Sequence, residues 1–181
     1  MTHATLRLSF LLSIFCVCLA TTVQASPPLA TTPNFERDAY VGRWHQIAFL
    51  PNWFQRKCVG ETTADYAALP DGSIAVTNQC RTADGIARAI GVARQHRAHP
   101  ADPAILQVRF APAWLSALPF VWGDYWVIAT EGHYDAALVG SPDRRYLWIL
   151  ARQPTLPDDV YRRLVGIANA QGFDVAALKR E

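Results

Sequence analysis

The amino-acid sequence predicts an all-β domain, an antiparallel barrel or sandwich with one helix packed outside the sheet. Eight short runs rich in β-branched and aromatic residues follow one another between turn signals, with no helical pattern between them. Apolar and polar side chains alternate along several runs, as expected of strands that bury one face. A single amphipathic helical pattern follows the last run. These three observations together define the fold class.

The runs are separated by short turn sequences, among them PDG, TADG, HPADP, EGHY and PDRR. Gly, Pro and Asp favour such turns because they adopt backbone angles or local hydrogen bonds that strands avoid. In chain order, the predicted strands are GRWHQIAFL, GETTADYAAL, SIAVTNQC, IARAIGVARQH, AILQVRF, DYWVIAT, DAALVGS and RYLWILAR.

Alternation assigns faces to individual strands. In AILQVRF, the side chains of Leu106, Val108 and Phe110 share one face, and those of Gln107 and Arg109 share the other. In SIAVTNQC, one face carries Ile74, Val76, Asn78 and Cys80. The last strand, YLWILA, is apolar on both faces, so another element must cover its outer side.

The segment TLPDDVYRRLVGIANAQG predicts the helix that covers this strand. Thr155 and Asp158 have capping-box spacing, Pro157 lies in the first turn, and Gly172 follows the pattern. One apolar stripe is formed by Val160, Leu164, Ile167 and Ala168. We therefore expect this helix to pack on the outside of the sheet.

The first 25 residues have the pattern of a secretory signal peptide. Arg7 precedes the apolar run LSFLLSIFCVCLA, and VQAS supplies small residues for cleavage before Ser26. A buried N-terminal helix is the alternative. Phe15 precedes Cys16 and Val17 precedes Cys18, where a lipid-attachment site would have Gly, Ala or Ser. We expect an exported periplasmic protein, in association with the outer membrane or free of it, without a lipid anchor.

The remaining chain predicts a flexible leader over residues 26–34, which are rich in Pro, and one domain over residues 35–181. The formal net charge of +2 gives no reason to expect a nucleic-acid partner. After removal of the signal peptide, Cys58 and Cys80 are the two remaining cysteines. In an oxidising compartment they predict one disulfide.

Motifs that carry catalysis are not found in the sequence. There is no G-x-S-x-G, no Gly-rich phosphate loop and no C-x-x-C. His96 and His99 flank a predicted turn without a third ligand, so we expect solvated histidines and neither a metal site nor a cofactor. The sequence therefore favours a binding protein over an enzyme, although an enzyme or inhibitor on the same scaffold stays open.

Several stretches give the sequence a family resemblance. GRW opens the first strand, TEGHYDAAL follows the sixth, and YLWILARQP forms the last. With YVGRWHQIA, NQCRTADG, YWVIAT, SPDRR and GFDVAAL, they resemble the lipocalins, in particular the bacterial outer-membrane lipocalins and apolipoprotein D. The resemblance implies an eight-stranded, antiparallel, up-and-down barrel with one C-terminal helix outside.

The resemblance also implies roles for individual residues. Arg152 would lie across Trp44 and, with Gly42, close the barrel floor; a guanidinium on an indole contributes about 0.5–2 kcal/mol. Resemblance to apolipoprotein D implies a ligand pocket, which would hold a fatty acid, a lysophospholipid or another small apolar molecule. By resemblance the pocket would contain Tyr66, Asn78 and Trp148, and alternation along the strands adds Tyr125 and Phe110. Alternation from Trp44 places Gln46, Ala48 and Leu50 on the same inner side.

Two apolar loops are expected at the open end of such a barrel. Connections alternate between the ends, and the first strand starts at the floor, so LPNWFQRKC and APAWLSALPFVWG lie at the mouth. Exposed, they would dock onto a membrane leaflet or a lipid-carrying partner; otherwise they would plug the barrel or contact a second copy in a homodimer. The rim residues are Trp53, Phe54, Trp114, Leu115, Leu118, Phe120 and Trp122.

Overall fold

A computed structural model describes residues 27–181. The predicted signal peptide, its cleavage before Ser26, and both Cys16 and Cys18 lie outside the described residues. Among the residues that the structure covers, no helix has the length and apolar character needed to cross a bilayer.

Eight antiparallel strands close into a barrel. Each strand pairs with its neighbour in the sequence, and the ring closes where the eighth strand pairs with the first and the first with the second. The strands are β1 (Gly42–Phe49), β2 (Gly60–Ala68), β3 (Ile74–Thr82), β4 (Gly85–Gln95), β5 (Ile105–Arg109), β6 (Gly123–Glu131), β7 (Ala136–Gly140) and β8 (Leu147–Ala151). The up-and-down barrel implied by the resemblance is thus confirmed.

Three further elements complete the fold. A single turn, α1 (Arg37–Tyr40), precedes β1; α2 (Asp158–Ala170) follows β8; and a short strand, β9 (Lys179–Arg180), pairs with β1. Short 3-10 turns occur at Ala113–Leu115 and Pro119–Val121 in the β5–β6 loop and at Val175–Ala177 before β9. Neither α1 nor β9 is predicted from the sequence.

Buried apolar side chains form two clusters on opposite sides of the barrel wall. Inside the barrel, Trp44, Val76 and Leu150 belong to one cluster. Outside it, Leu147 and Ile149 of β8 pack with Leu164 and Ala168 of α2. The helix therefore covers the outer face of the last strand, as predicted.

The start of α2 differs from the predicted capping box. The helix begins at Asp158, Pro157 occupies the cap position, and no side chain caps the first turn. Thr155 lies before the helix. Asp158 instead accepts a hydrogen bond from Arg180 of β9 at 3.0 Å, which ties the helix to the end of the chain.

The segment predicted as a flexible leader is packed against the barrel over its described part. Leu29 is buried within the outer cluster, and the Thr32 amide donates to the Val127 carbonyl at 2.9 Å. The Gln171 side chain accepts from the Ala30 amide at 2.8 Å. The Pro content of this segment predicts a flexible chain. Composition does not show that Leu29 packs into an apolar site against the barrel.

Candidate functional site

One end of the barrel is sealed around Trp44, which is fully buried. The Arg152 guanidinium carbon lies 3.8 Å from the centre of the Trp44 ring. Gly42 has φ +103°, and a Cβ there would lie 3.2 Å from an Arg152 nitrogen, so both the backbone angle and the space favour glycine. Arg152 thus lies against both Trp44 and Gly42 at this end of the barrel.

Arg152 also joins separate parts of the chain at this end. Its guanidinium donates hydrogen bonds to four backbone carbonyls at 2.8–3.2 Å, those of Ala39, Val41, Arg43 and Tyr134. Burial lowers the pKa of Arg152, but an arginine side chain keeps its proton in proteins. The charge is therefore satisfied by carbonyl dipoles and the indole face.

Three tyrosines line the barrel interior above the floor; Tyr40 and Tyr66 are buried and Tyr125 is half-buried. The Tyr125 hydroxyl lies 2.7 Å from that of Tyr40 and 2.9 Å from that of Tyr66. Burial raises the pKa of all three hydroxyls, that of Tyr66 to about 12, so they stay protonated at physiological pH. The trio forms a polar base inside an otherwise apolar wall.

Two members of this trio, Tyr66 and Tyr125, were predicted from the sequence, and the third, Tyr40, was not. Tyr66 and Tyr125 were predicted on inner faces of their strands, but Tyr40 comes from α1 and has no strand period. It packs at 5.0 Å from Trp44 and 5.6 Å from Tyr66, measured between ring centres. Its position just before V-G-R-W was the one signal that could have identified it.

Nearer the mouth, β3 and β4 continue as a hairpin past Val92, where the pairing of β4 with β5 ends. Asn78 pairs with Ala89, and Cys80 pairs with Ala87, so all four share the inner face. Ala87 and Ala89 are exposed there. The Asn78 Oδ1 atom is buried and has no hydrogen-bond partner among the described residues. An unpaired buried amide oxygen beside small side chains is suited to a ligand's polar group.

On the opposite wall, Trp148 lies on the inner face of β8. Its indole nitrogen donates to the Gln55 side-chain oxygen at 3.0 Å, and its ring stacks on Tyr146 with 6.0 Å between centres. Phe54 of the β1–β2 loop lies 6.3 Å from Trp148. Phe54, from the loop at the mouth, thus lies beside the predicted pocket residue Trp148. Gln55 carried no recognisable sequence signal.

A β-bulge corrects the inner face predicted for β1. Gln46 pairs with the inward Leu150, but the next paired residue, Ala48, is opposite the outward Ile149. Ala48 and Leu50 therefore pack in the outer cluster, contrary to the prediction from alternation. Phe49 takes the inner position opposite Trp148. One extra residue in a strand reverses the faces of all residues that follow it.

Phe110 lies just past the end of β5, at the mouth of the barrel. β5 ends at Arg109, and the Phe110 side chain is 43% exposed. Its ring lies over Gly91, where an added Cβ would approach within 2.7 Å of a ring carbon. Phe110 and Gly91 line a cavity of about 280 Å³ that extends to Ala113 in the β5–β6 loop. The ring therefore forms part of the wall at the mouth.

The predicted disulfide is present and anchors the loop that carries Phe54 and Gln55. Cys58 and Cys80 are bonded, with 5.6 Å between their Cα atoms. Cys58 lies in the loop before β2, and Cys80 is buried on β3. The bond therefore ties the mouth loop to the inner wall.

The rim predicted from the sequence is mostly exposed. The exposed fraction is 70% for Trp53 and 80% for Trp114 and Phe120, while Leu115 is half-buried. Phe54 and Leu118 are exposed to a smaller extent. The outward β4 residues Ile86 and Ile90 add exposed apolar surface that the sequence analysis did not identify.

Trp122 does not join this rim. Its ring lies on the outer wall, 3.5 Å from the Arg94 guanidinium carbon and 5.3 Å from that of Arg109. Arg109 is buried beneath the loop, and Arg94 has its pKa lowered mainly by burial. The loop folds back along the barrel, and this cation–π contact removes Trp122 from the mouth.

His96 and His99 lie near the other end of the barrel, on the outer wall. The His96 Nε2 atom lies 3.3 Å from the Asp124 carboxylate, and burial is the main cause that lowers the His96 pKa. His99 contacts Trp126 edge-on at 5.4 Å between ring centres. Within residues 27–181, no three His, Cys, Asp or Glu side chains come together as a metal ion would require.

A family profile described as a lipocalin-like domain matches residues 35–181. Temperature-induced lipocalin-1 of Arabidopsis thaliana is 40% identical over 149 residues, covering 81% of this chain and 77% of the relative. Outer membrane lipoprotein Blc of Citrobacter freundii is 37% identical, covering 84% and 83%. Mouse apolipoprotein D is 31% identical, covering 83% and 77%.

Solved structures agree on the architecture. Insecticyanin from the tobacco hornworm Manduca sexta superimposes with a TM-score of 0.66 at 18% identity, covering 87% of this chain and 85% of that one. At this level of identity, the similarity shows the fold.

Proposed function

Because this chain belongs to the lipocalin-like family, we propose that it binds and carries one lipid-like molecule, a fatty acid or lysophospholipid, for lipid storage or transport in the cell envelope. The observation that carries the proposal is the unpaired Asn78 Oδ1 beside the exposed inner face of Ala87 and Ala89. An eight-stranded barrel is wide enough for a single small ligand, and such sites combine apolar walls with few polar groups.

The proposed site has a polar base, an apolar wall and one polar group part of the way up. Tyr66 and Tyr125 form the base, Trp148 and Phe110 supply aromatic surface, and Asn78 accepts a hydrogen bond from a ligand hydroxyl or amide. This arrangement suits an acyl chain better than a charged metabolite, because the tyrosine hydroxyls are neutral. Both cysteines of the described chain are bonded to each other, so neither supplies a nucleophile. We therefore assign binding rather than catalysis.

Trp148 tests the site directly. Adding lysophospholipid is expected to change tryptophan fluorescence in the wild type and to change it much less in Trp148→Phe. Trp114→Phe, which alters an exposed indole, is the matched control and should respond like the wild type. Equal responses in all three proteins would contradict the assignment, and native mass spectrometry of freshly purified protein would identify a co-purified ligand.

The rim supports a route for loading. Trp53 and Trp114 expose indoles at the mouth, and the charged Arg56 and Lys57 lie exposed in the same loop as Trp53. Trp favours the bilayer interface, and cations favour anionic lipid headgroups. We propose that the mouth docks onto a membrane leaflet, so that the acyl chain enters the barrel without crossing water.

Vesicle flotation measures this docking. Wild type is expected to float with phosphatidylcholine vesicles, and the triple variant Trp53→Ser, Trp114→Ser, Leu118→Ser is expected to bind less. Equal binding, or no binding by either, would remove the docking proposal and leave the carrier proposal intact. A concentration-dependent dimer lost in the same variant would identify a second copy as the occupant of the rim.

Export to the periplasm completes the proposal. The N-terminal pattern supports it, and the Citrobacter freundii relative is named an outer membrane lipoprotein. The residues before Cys16 and Cys18 favour a mature chain without an acyl anchor. Mass spectrometry of the N-terminus of protein from the cell envelope distinguishes a chain that begins near Ser26 from an acylated cysteine.

A further inference from the structure

The seam between β1 and β2 is closed in two different ways along its length. From Gly42 to His45, β1 pairs directly with β2. Farther toward the mouth, Ala48 and Phe49 pair with β9. We call residues 179–181 the strap, because they cover the part of the seam that β2 leaves.

The strap ends with a carboxylate held by two neutral donors. Glu181 Oε2 accepts from the Gln46 side-chain nitrogen at 2.7 Å, and Oε1 accepts from the Thr62 amide at 2.7 Å. The Glu181 amide donates to the Ile47 carbonyl at 2.9 Å. Within the described chain, no Lys, Arg or His nitrogen lies within 4.0 Å of this carboxylate.

These donors are connected to the candidate pocket. Gln46 is buried on the inner side of β1, and its oxygen accepts from the Gln55 side chain at 2.8 Å. The Gln55 oxygen accepts from the Trp148 indole at 3.0 Å. The carboxylate therefore lies at one end of a hydrogen-bond chain whose other end is the proposed ligand-reporting residue.

Two convergent N–H groups hold this carboxylate by direct hydrogen bonds, and hydrogen bonds to charged groups are the stronger ones. The Arg81 guanidinium and the carboxylate both lie within 4 Å of the Cβ position of Gly60, without a direct ion pair between them among the described residues. A carboxylate on a free ligand presents the same two oxygens. Arg180, in contrast, points outward to Asp158 and Tyr161, so the strap is anchored independently of the carboxylate.

We propose that the Gln46 side chain and the Thr62 amide form a carboxylate site in the barrel seam, occupied by Glu181 as a tethered competitor. A fatty acid displaces Glu181 and places its own carboxylate there. This inference rests on the proposed carrier function and deepens it, because it selects fatty acids over neutral lipids of equal length. A tethered group acts at roughly millimolar effective concentration, so its removal relieves strong competition.

The experiment compares palmitate with hexadecanol, which have equal chains and different head groups. Glu181→Ala is expected to tighten palmitate binding by about tenfold and to leave hexadecanol binding unchanged. Asp159→Ala is the control, since Asp159 pairs with Arg163 on the surface of α2 and should change neither ligand. Circular dichroism melting verifies that each variant is folded.

A second variant isolates the donor. Gln46→Glu in the Glu181→Ala background keeps an acceptor for Gln55 but removes the N–H, so palmitate should lose the tenfold gain while hexadecanol still binds. If Glu181→Ala alters both ligands equally, or alters neither, the carboxylate site is wrong and the carrier function stands. If neither ligand binds any variant, the carrier function and this inference both fail.

Discussion

The two ends of the barrel use the same amino-acid types for opposite purposes. At the floor, Trp44 is fully buried, and Arg152 donates hydrogen bonds to four backbone carbonyls. At the mouth, Trp114 is 80% exposed. Tyrosines form a hydrogen-bonded trio above the floor, whereas Phe54 and Trp148 meet at the mouth through their rings. The difference shows that burial, not residue type, decides whether an aromatic side chain stabilises the fold or is free for contact.

The contrast between the two tryptophans gives the largest expected effect. Trp44→Ala removes a buried indole and leaves a cavity beneath Arg152, which should cost about 3–5 kcal/mol of unfolding free energy. Trp114→Ala removes an indole that contacts mostly solvent and should change stability by less than about 0.5 kcal/mol. Urea unfolding followed by circular dichroism measures both. Similar losses in the two variants would contradict the comparison.

The disulfide tests whether the mouth loop depends on its covalent tie. Replacing Cys58 and Cys80 with Ser opens a link across 22 residues and should cost about 3 kcal/mol in the chain-entropy model. Hydrogen exchange should rise in residues 50–59 and stay slow around Trp44. Faster exchange spread evenly over both ends would show that the tie stabilises the whole barrel. Two alkylatable thiols per oxidised mature chain, which begins after Cys16 and Cys18, would contradict the bond itself.

Gly91 probes the close contact that shapes one side of the mouth. A Cβ at this position would lie 2.6 Å from the Arg109 carbonyl oxygen and 2.7 Å from the Phe110 ring, so Gly91→Ala should cost about 1–3 kcal/mol and displace Phe110. Gly123→Ala is the control, because its nearest neighbour is 3.8 Å away and its φ is not positive. Thermal unfolding measures the melting temperature of both variants. Equal shifts in the two melting temperatures would contradict this prediction.

The smallest effect is expected from His96, on the outer wall away from the mouth. Burial lowers its pKa below 6.5, so the folded state favours the neutral ring. Its contribution to stability is therefore complete above the unfolded pKa of 6.5 and is lost as pH falls through the lower folded pKa. Unfolding free energy measured from pH 7.5 to pH 5 should decrease more in wild type than in His96→Asn. Parallel curves would exclude this contribution.

Local patterns were sufficient to predict an antiparallel barrel or sandwich, and the resemblance to the lipocalins selected the barrel and placed Trp148 in its pocket. Strand period grouped Leu106 with Val108 and Val76 with Asn78, and the helical stripe containing Leu164 and Ala168 located the helix that covers β8. The two remaining cysteines predicted the disulfide. The strand and helix inferences depend on neighbours within one element, and the disulfide depends on the number of cysteines, which is why the sequence alone could support them.

Tertiary structure decided where the alternation of inward and outward residues along a strand fails, and which segments distant in the sequence come into contact. Ala48 and Leu50 face outward because the register of β1 against β8 contains a bulge, and register is a property of two strands rather than one. Trp122 leaves the rim because Arg94, on a strand far away in the sequence, binds its face. Tyr40 and Glu181 reach the interior and the seam from opposite ends of the described chain, and only closure of the barrel brings them beside Tyr125 and Gln46.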